Sequence, residues 1–137
     1  MTELEGGRVL KLMPDHHTVA MYGIHEYGDS GQHWRIESNG CLRNQEVSGK
    51  CLALEGSKQG APLGMRDETG TDEQHWTLKD DKYVQSKVWN DELLKKGPLV
   101  LDVIWADISL ITDGALLRGW HKDNTVSQKW NLVPVDT

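Results

Sequence analysis

The sequence of 137 residues contains no phenylalanine, only four prolines and two cysteines, and no excess of positive charge. Its formal net charge of −6 disfavours a nucleic-acid backbone as partner, because phosphate binding needs a basic surface. Apolar runs are short, and none approaches the length that crosses a membrane. The acidic residues 1–8 have no hydrophobic stretch of the kind found in a secretory signal, so we expect a cytoplasmic protein.

Motifs of common enzyme classes are also missing. The chain has no nucleophile elbow, no zinc-protease motif, no phosphate loop and no dinucleotide fingerprint. Acidic pairs such as Asp67-Glu68 fall in predicted loops, whereas glycoside hydrolysis needs two carboxylates facing each other across a cleft. We therefore expect a protein without catalytic activity, cofactor or metal site.

The two cysteines, Cys41 and Cys51, are ten residues apart. Reducing compartments keep such pairs as free thiols, so two thiols are expected, with a disulfide as the alternative. Two cysteines alone cannot form a metal site.

A short motif occurs three times, as Gln32-His33-Trp34, Gln74-His75-Trp76 and Gln128-Lys129-Trp130. In a β-strand, residues i and i+2 point to the same face, so each glutamine faces the same way as its tryptophan. Upstream of each motif lies a similar apolar segment, at Val9–Leu12, Cys51–Leu54 and Val100–Val103. The chain is therefore expected to contain three related units.

The third unit differs from the other two by an insertion. From Lys11 to Gln32 and from Ala53 to Gln74 there are 21 residues, but from Asp102 to Gln128 there are 26. The five extra residues lie within 104–114, an apolar stretch. It is expected to form either a small local core or a contact surface beside the functional site.

Short apolar strands separated by turn residues predict an all-β protein. The predicted strands are Val9–Met13, Val19–Gly23, Trp34–Glu37, Leu42–Gln45, Cys51–Glu55, Pro62–Arg66, Trp76–Lys79, Tyr83–Ser86, Leu99–Val103, Leu116–Trp120 and Trp130–Val133. Unit one has only Thr2–Leu4 in the place of its first strand, which predicts either a very short strand or a chain that begins inside a longer protein.

Three units of four strands close into a threefold barrel with a cap, which removes exposed sheet edges. We predict a single domain of residues 1–137, with units at about 1–38, 39–80 and 81–137. Trp34, Trp76 and Trp130 are expected to meet in the core, and Gln32 and Gln74 to be structural.

Three such motifs in register, each with its upstream strand, resemble the ricin B-type (R-type) β-trefoil lectins over nearly the whole chain. The layout is similar to that of the galactose-binding lectins of invertebrates and fungi. The resemblance implies a β-trefoil with pseudo-threefold symmetry and about 12 short strands. It also implies a lectin that binds galactose or N-acetylgalactosamine.

The resemblance further implies where a sugar would bind. Sites in this family use an aspartate in the upstream strand, an aromatic residue eight positions before the glutamine, and a polar residue, usually asparagine, just before it. Unit three has Asp102, Trp120 and Ser127 in these positions, with serine as a departure from the pattern. Unit one has Lys11, Ile24 and Gly31, and unit two has Ala53, Arg66 and Glu73. One competent site is therefore expected, in the third unit.

The chemistry of these side chains supports that site. A carboxylate accepts hydrogen bonds from two sugar hydroxyls, and a tryptophan ring packs against the apolar C–H face of a sugar. The loop after Trp120 supplies further polar groups, among them Lys122 and Asp123. The candidate binding residues are Asp102, Trp120, His121, Asn124, Ser127 and Gln128. Asp102 is expected to point away from the core, because its neighbours in the strand point inward.

Two other interpretations stay open. Trp120 ends an apolar strand and could belong to the core, and Asp102 could be an ordinary surface residue. The chain would then be a sugar-blind trefoil that contacts proteins, either as a domain of a larger protein or as an inhibitor-type trefoil. Otherwise its partners are galactose-type glycans on glycoproteins or glycolipids, with no nucleic acid and no insertion into a membrane.

Overall fold

The structure is a computed structural model that describes residues 2–6, 8–22, 30–79, 81–89, 91–104, 116–123 and 128–134. Twelve strands lie in these ranges: β1 Thr2–Gly6, β2 Arg8–Leu12, β3 Val19–Tyr22, β4 Trp34–Ile36, β5 Leu42–Asn44, β6 Lys50–Leu54, β7 Leu63–Asp67, β8 Trp76–Leu78, β9 Val84–Ser86, β10 Leu99–Val103, β11 Leu117–His121 and β12 Asn131–Pro134. The prediction of an all-β protein with about twelve short strands is confirmed.

Helical structure in the described ranges is confined to short segments. Two 3-10 turns, at Ser30–Gln32 and Asp72–Gln74, each end on a glutamine of the repeated motif. One α-helix, α1 at Asp91–Lys96, lies in the polar connection ahead of unit three and buries Leu93. No helix in these ranges is long and apolar enough to span a bilayer.

Three antiparallel hairpins form one layer of the fold. They pair β2 with β3, β6 with β7, and β10 with β11. The second strands of the three hairpins contact one another, so the hairpins converge into a cap. Gly119 in β11 permits this approach, because a Cβ atom there would lie 2.6 Å from Leu54 Cδ2.

The other six strands form a closed barrel. β1 pairs with β12 and β4, β4 with β5, and β8 with β9. Two backbone hydrogen bonds of 2.9 Å complete the ring, from Trp76 N to Gly40 O and from Trp130 N to Lys82 O. Gly40 and Lys82 occupy equivalent turns and have positive φ angles of 96° and 75°. The barrel and cap confirm the predicted pseudo-threefold trefoil.

The first strand of unit one is longer than the sequence indicated. β1 covers Thr2–Gly6 and pairs with β12, β2 and β4. It is therefore as long as the strands of the hairpins, and the alternative of a very short strand is wrong.

The three tryptophans of the repeat lie in the core. Trp34, Trp76 and Trp130 are at most 3% exposed. Each indole nitrogen donates a hydrogen bond to a backbone carbonyl of a hairpin, namely to Leu10 O at 3.0 Å, Leu52 O at 2.9 Å and Leu101 O at 3.0 Å. Each tryptophan therefore ties a barrel strand to the hairpin above it, and it satisfies its one polar atom in doing so.

The three glutamines of the repeat are buried as well. Gln74 shows their role: its side-chain nitrogen donates to Asp67 O at 2.7 Å, and its side-chain oxygen accepts from Thr69 N at 2.8 Å and Gly70 N at 3.3 Å. One amide thus satisfies three backbone groups of the preceding loop, which would otherwise be left unpaired on burial.

The cysteines are not free thiols. Cys41 and Cys51 form a disulfide with a Cα–Cα distance of 5.4 Å, and the expectation of two thiols is wrong. The turn between β5 and β6 brings the two residues side by side, a geometry that residue spacing and compartment alone did not reveal. Disulfides are typical of oxidising compartments, so the cytoplasmic location stays a prediction that this bond does not favour.

Candidate functional site

The candidate aspartate lies in β10, one residue before the strand ends, and is buried. Asp102 is paired in register with Arg118 of β11, and its Oδ2 accepts a hydrogen bond from Arg118 Nε at 2.9 Å. The side chain of Asp102 is only 2% exposed. The expected surface position of Asp102 is therefore wrong. A buried carboxylate needs a charged or hydrogen-bonded partner, and the opposing strand supplies one.

Arg118 also covers part of the candidate aromatic residue. Its guanidinium carbon lies 3.9 Å from the centroid of the Trp120 ring, a cation–π contact. The two side chains share a face because they are two residues apart in β11. Trp120 is partly exposed, and the Arg118 side chain is 30% exposed. The structure thus brings Asp102 and Trp120 together through an arginine that the sequence analysis had not assigned.

A turn of unit two forms a wall beside Trp120. The turn follows β6, and Gly60 N donates to Gly119 O while Gly119 N donates to Ala61 O, both at 2.8 Å. A Cβ atom built at Gly60 would lie 3.8 Å from Trp120 Cζ3, within van der Waals contact. The turn encloses an open cavity of about 430 Å³, lined by Glu55, Gly56, Ser57, Lys58, Gln59, Gly60 and Ala61. The site therefore lies at the boundary between units two and three.

His121 is held in this boundary by Gln59. The backbone nitrogen of His121 donates to the side-chain oxygen of Gln59 at 2.6 Å, and the Gln59 amide nitrogen contacts His121 Nδ1. The His121 ring centroid lies 5.5 Å from that of Trp120. The imidazole and the Gln59 amide therefore form a polar edge next to the indole ring.

Gln128 positions the loop instead of reaching solvent. It is fully buried; its side-chain nitrogen donates to His121 O at 2.8 Å and its side-chain oxygen accepts from Asp123 N at 3.0 Å. This is the arrangement seen at Gln74. It replaces the direct ligand contact that we predicted for Gln128.

Lys122 is directed away from the candidate site. Its ammonium forms an ion pair with Asp81 at 2.8 Å and lies 4.3 Å from the Tyr83 ring centroid. The hydrogen bond between the two charged groups lowers the pKa of Asp81 and raises the pKa of Lys122. Two of the predicted binding residues, Asn124 and Ser127, lie outside the described residues, as does most of the insertion at 105–115.

Unit two shows what the same positions do without a carboxylate and an aromatic ring. Ala53 is buried and faces Gly64 across the hairpin. Arg66 pairs with Glu55 at 2.9 Å, and Glu55 also contacts His17 Nε2 of unit one at 3.1 Å. These contacts of Glu55 join units one and two.

In unit one, the ammonium of Lys11 lies 5.2 Å from the ring centroid of Tyr22. Ile24, which occupies the aromatic position of this unit, lies outside the described residues.

The sequence analysis missed two residues of this site, Gln59 of unit two and Arg118. A signal for Arg118 was present, since a strand places residues 118 and 120 on one face. Its pairing with Asp102 depends on the register between β10 and β11. The sequence does not show that register, because the insertion separates the two strands.

Known structures share this architecture. A designed threefold symmetric protein, ThreeFoil, superimposes with a TM-score of 0.75 at 24% identity, covering 98% of both chains. The agglutinin of Abrus precatorius gives a TM-score of 0.77 at 21% identity, over 96% of this chain and 46% of that one. The C-half of the earthworm R-type lectin, solved in complex with GalNAc, gives a TM-score of 0.71 at 15% identity, over 96% of both chains. At these identities the likeness establishes the fold.

A comparison with curated protein sequences finds no match. The sequence does match the family model of the ricin-type β-trefoil lectin domain, over residues 2–130. That match spans all three repeated motifs and nearly the whole chain, so this protein belongs to the ricin-type β-trefoil lectin domain family.

Proposed function

We propose that the protein is a non-catalytic carbohydrate-binding module with one site, at Trp120 in the third unit. The observation that carries this proposal is the partly exposed indole ring, with the Arg118 guanidinium lying over it and the pair Gln59 and His121 beside it. Sugars combine an apolar C–H face with hydroxyl groups, so they need a ring and hydrogen-bonding groups side by side. By sequence, neither of the other units has an aromatic residue at this position.

We further propose that the sugar is of the galactose type, either galactose or N-acetylgalactosamine. The earthworm lectin half was solved with N-acetylgalactosamine, and it shares the trefoil over nearly its full length. The partners would then be galactose-type glycans on glycoproteins or glycolipids. Asp102 belongs to this site because it holds Arg118 against the ring.

The carboxylates near the site support binding without catalysis. Asp102 is paired with Arg118, and Glu55 is paired with Arg66 and His17. Glycoside hydrolysis needs one carboxyl group that can give up a proton and a second one across the sugar. Both carboxylates are already engaged by basic side chains, so neither is placed as a carboxyl group that faces a second one across a bound sugar.

A second candidate function is that of a sugar-blind trefoil that contacts proteins, within a longer chain or on its own. The buried ion pair favours it, because Asp102 already has a partner and one side of the Trp120 ring is covered by Arg118. In that case Asp102, Arg118 and Trp120 stabilise the fold and bind no sugar.

A titration with galactose, N-acetylgalactosamine and lactose, followed by NMR, separates the two functions. Sugar binding at a single shallow site is expected with a dissociation constant on the order of 0.1–1 mM. The indole signal of Trp120 and the side-chain amide signal of Gln59 should shift, with a stoichiometry of one sugar per chain. Glucose serves as the sugar control. Unchanged spectra at saturating galactose-type sugar would favour the sugar-blind trefoil.

A further inference from the structure

Arg118 has hydrogen-bonding capacity that the fold does not use. Its Nε donates to Asp102, whereas its two terminal nitrogens have no hydrogen-bond partner within the described part of the chain. The side chain is only 30% exposed, and contacts hold it on two sides, with the Trp120 ring beneath it and the carboxylate at its edge. A guanidinium fixed in this way presents a rigid fork of N–H donors to solvent.

A rigid fork is suited to an oxyanion. Carboxylate, sulfate and phosphate groups accept two parallel N–H hydrogen bonds from a guanidinium, and these bonds are stronger than those to a neutral hydroxyl. Because Arg118 is already oriented by Asp102 and Trp120, binding would cost little side-chain entropy. A neutral sugar would use the fork only weakly.

The neighbouring turn adds a second cation. Lys58 lines the cavity of about 430 Å³ beside Trp120, and within the described residues it has no acidic partner. The acidic residue of the same cavity, Glu55, is engaged by Arg66 and His17. The local charge is therefore favourable to an anion, although the whole chain carries a net charge of −6.

We propose that the site takes an acidic galactoside, a galactose-type sugar that carries a sulfate ester or is linked to a carboxylated sugar. Arg118 is the residue that determines this specificity. This inference rests on the proposed function and narrows its ligand class. The Trp120 ring would contact the sugar, the Arg118 fork would bind the oxyanion, and Lys58 would add attraction at longer range.

Unit two offers a matched control. Arg66 also lies in the second strand of a hairpin and also pairs with a carboxylate, but both oxygens of Glu55 accept its Nε, at 3.1 and 2.9 Å. No aromatic ring of the described residues lies against Arg66, and its side chain is 58% exposed. If removing any one positive charge weakened binding of the acidic sugar, substitutions of Arg66 and Arg118 would have equal effects. If the fork of Arg118 binds the oxyanion, only the substitution of Arg118 would weaken it.

The first test uses the unaltered protein and compares lactose, lactose sulfated on the galactose ring, and sialyllactose by calorimetry. At least one acidic sugar should bind about tenfold more tightly than lactose, and raising the salt concentration to about 1 M should remove most of that advantage. The acidic sugar that gains identifies sulfate or carboxylate as the source of the anion. If lactose binds and neither acidic sugar binds more tightly, the inference is wrong and the proposed function stands. If none of the three binds, the proposed function itself is wrong.

The second test measures the ratio of the two affinities in variants. Arg118→Gln should reduce the tenfold preference to about one, and Arg66→Gln should leave it unchanged. Arg118→Gln leaves the buried Asp102 without its partner, so Arg118→Lys is included because it keeps a cation there but has no fork. It should fold and lose most of the preference. A full preference for the acidic sugar in either Arg118 variant would overturn the role assigned to this residue.

Discussion

The indole nitrogen of Trp130 donates a hydrogen bond to the carbonyl oxygen of Leu101, at 3.0 Å, one residue before Asp102. The same bond joins Trp34 to Leu10 and Trp76 to Leu52, in the units where Lys11 and Ala53 follow. The core tryptophan of each unit therefore fixes the backbone next to the position that Asp102 occupies in unit three. In unit three, this hydrogen bond therefore stabilises the core and also holds the strand of the proposed sugar site.

Replacing Trp130 should destabilise the whole domain. Trp130→Ala is expected to lower the free energy of unfolding by about 3–5 kcal/mol, because it leaves a large cavity and an unpaired Leu101 carbonyl. Chemical denaturation followed by circular dichroism measures this. Trp89→Ala is the control, since Trp89 is 56% exposed, and it should change stability by less than about 0.5 kcal/mol. Equal effects of the two substitutions would contradict the assigned core.

Asp102→Ala should reduce both stability and sugar binding. An Asp102 that pointed away from the core, as the sequence predicts, would affect binding alone, but Asp102 is buried against Arg118. Breaking this pair is expected to cost about 1–3 kcal/mol, less than for a fully buried pair because Arg118 is partly exposed. A double-mutant cycle with Arg118→Ala, read by denaturation, should show that the two substitutions are coupled. Strict additivity would mean that the pair contributes no stability.

Trp120→Ala is expected to remove detectable sugar binding while the domain stays folded. Trp120 is partly exposed, and the core tryptophans remain in place. Calorimetry with the best-binding sugar measures the loss, and the amide spectrum checks the fold. Lys11→Ala and Ala53→Ser, at the equivalent positions of units one and two, should bind as the unaltered protein does. Loss of binding in either would indicate a site in another unit.

Asp15 should give a small pH dependence of stability. Its pKa is lowered from 3.8 to about 2 by hydrogen bonds from the Thr18 hydroxyl and the backbone of His17 and Thr18. Because the folded pKa lies below the unfolded value, the contribution is complete above pH ~4 and is lost as the pH falls through ~2. Asp15 is exposed, so Asp15→Asn should cost less than about 1 kcal/mol at neutral pH. The two proteins should converge in stability as the pH falls below ~2, as followed by thermal melts, and a difference that persists well below that pH would assign the effect to something other than this carboxylate.

The fold was accessible from the sequence because its signals are local and repeated. The three motifs ending at Trp34, Trp76 and Trp130 gave the unit length, and turn residues placed most strand ends within one or two positions. α1 at Asp91–Lys96 was missed, since six residues are too few for a helical pattern to stand out. The disulfide was missed because the expectation for Cys41 and Cys51 came from compartment and not from geometry.

The site was only partly accessible for a different reason. Comparison of equivalent positions selected Asp102 and Trp120, which the structure brings together around Arg118. The burial of Asp102 depends on its pairing with Arg118 of β11. The sequence does not predict this pairing, because the insertion between the two strands leaves their register undetermined. The wall at Gln59 comes from another unit, so no inspection of unit three alone could have found it.

The pairing of β1 with β12 places Thr2 opposite Pro134, at the seam of the barrel. Closing the ring therefore joins residues that are far apart in the sequence. Because this pairing closes the longest loop, forming it early in folding costs the most conformational entropy. A circularly permuted chain, with a short linker across this seam and new ends in the exposed turn at Ser48 and Gly49, would convert that contact into a hairpin. Such a chain would keep the same native packing, but its three units could form their contacts in a different order during folding.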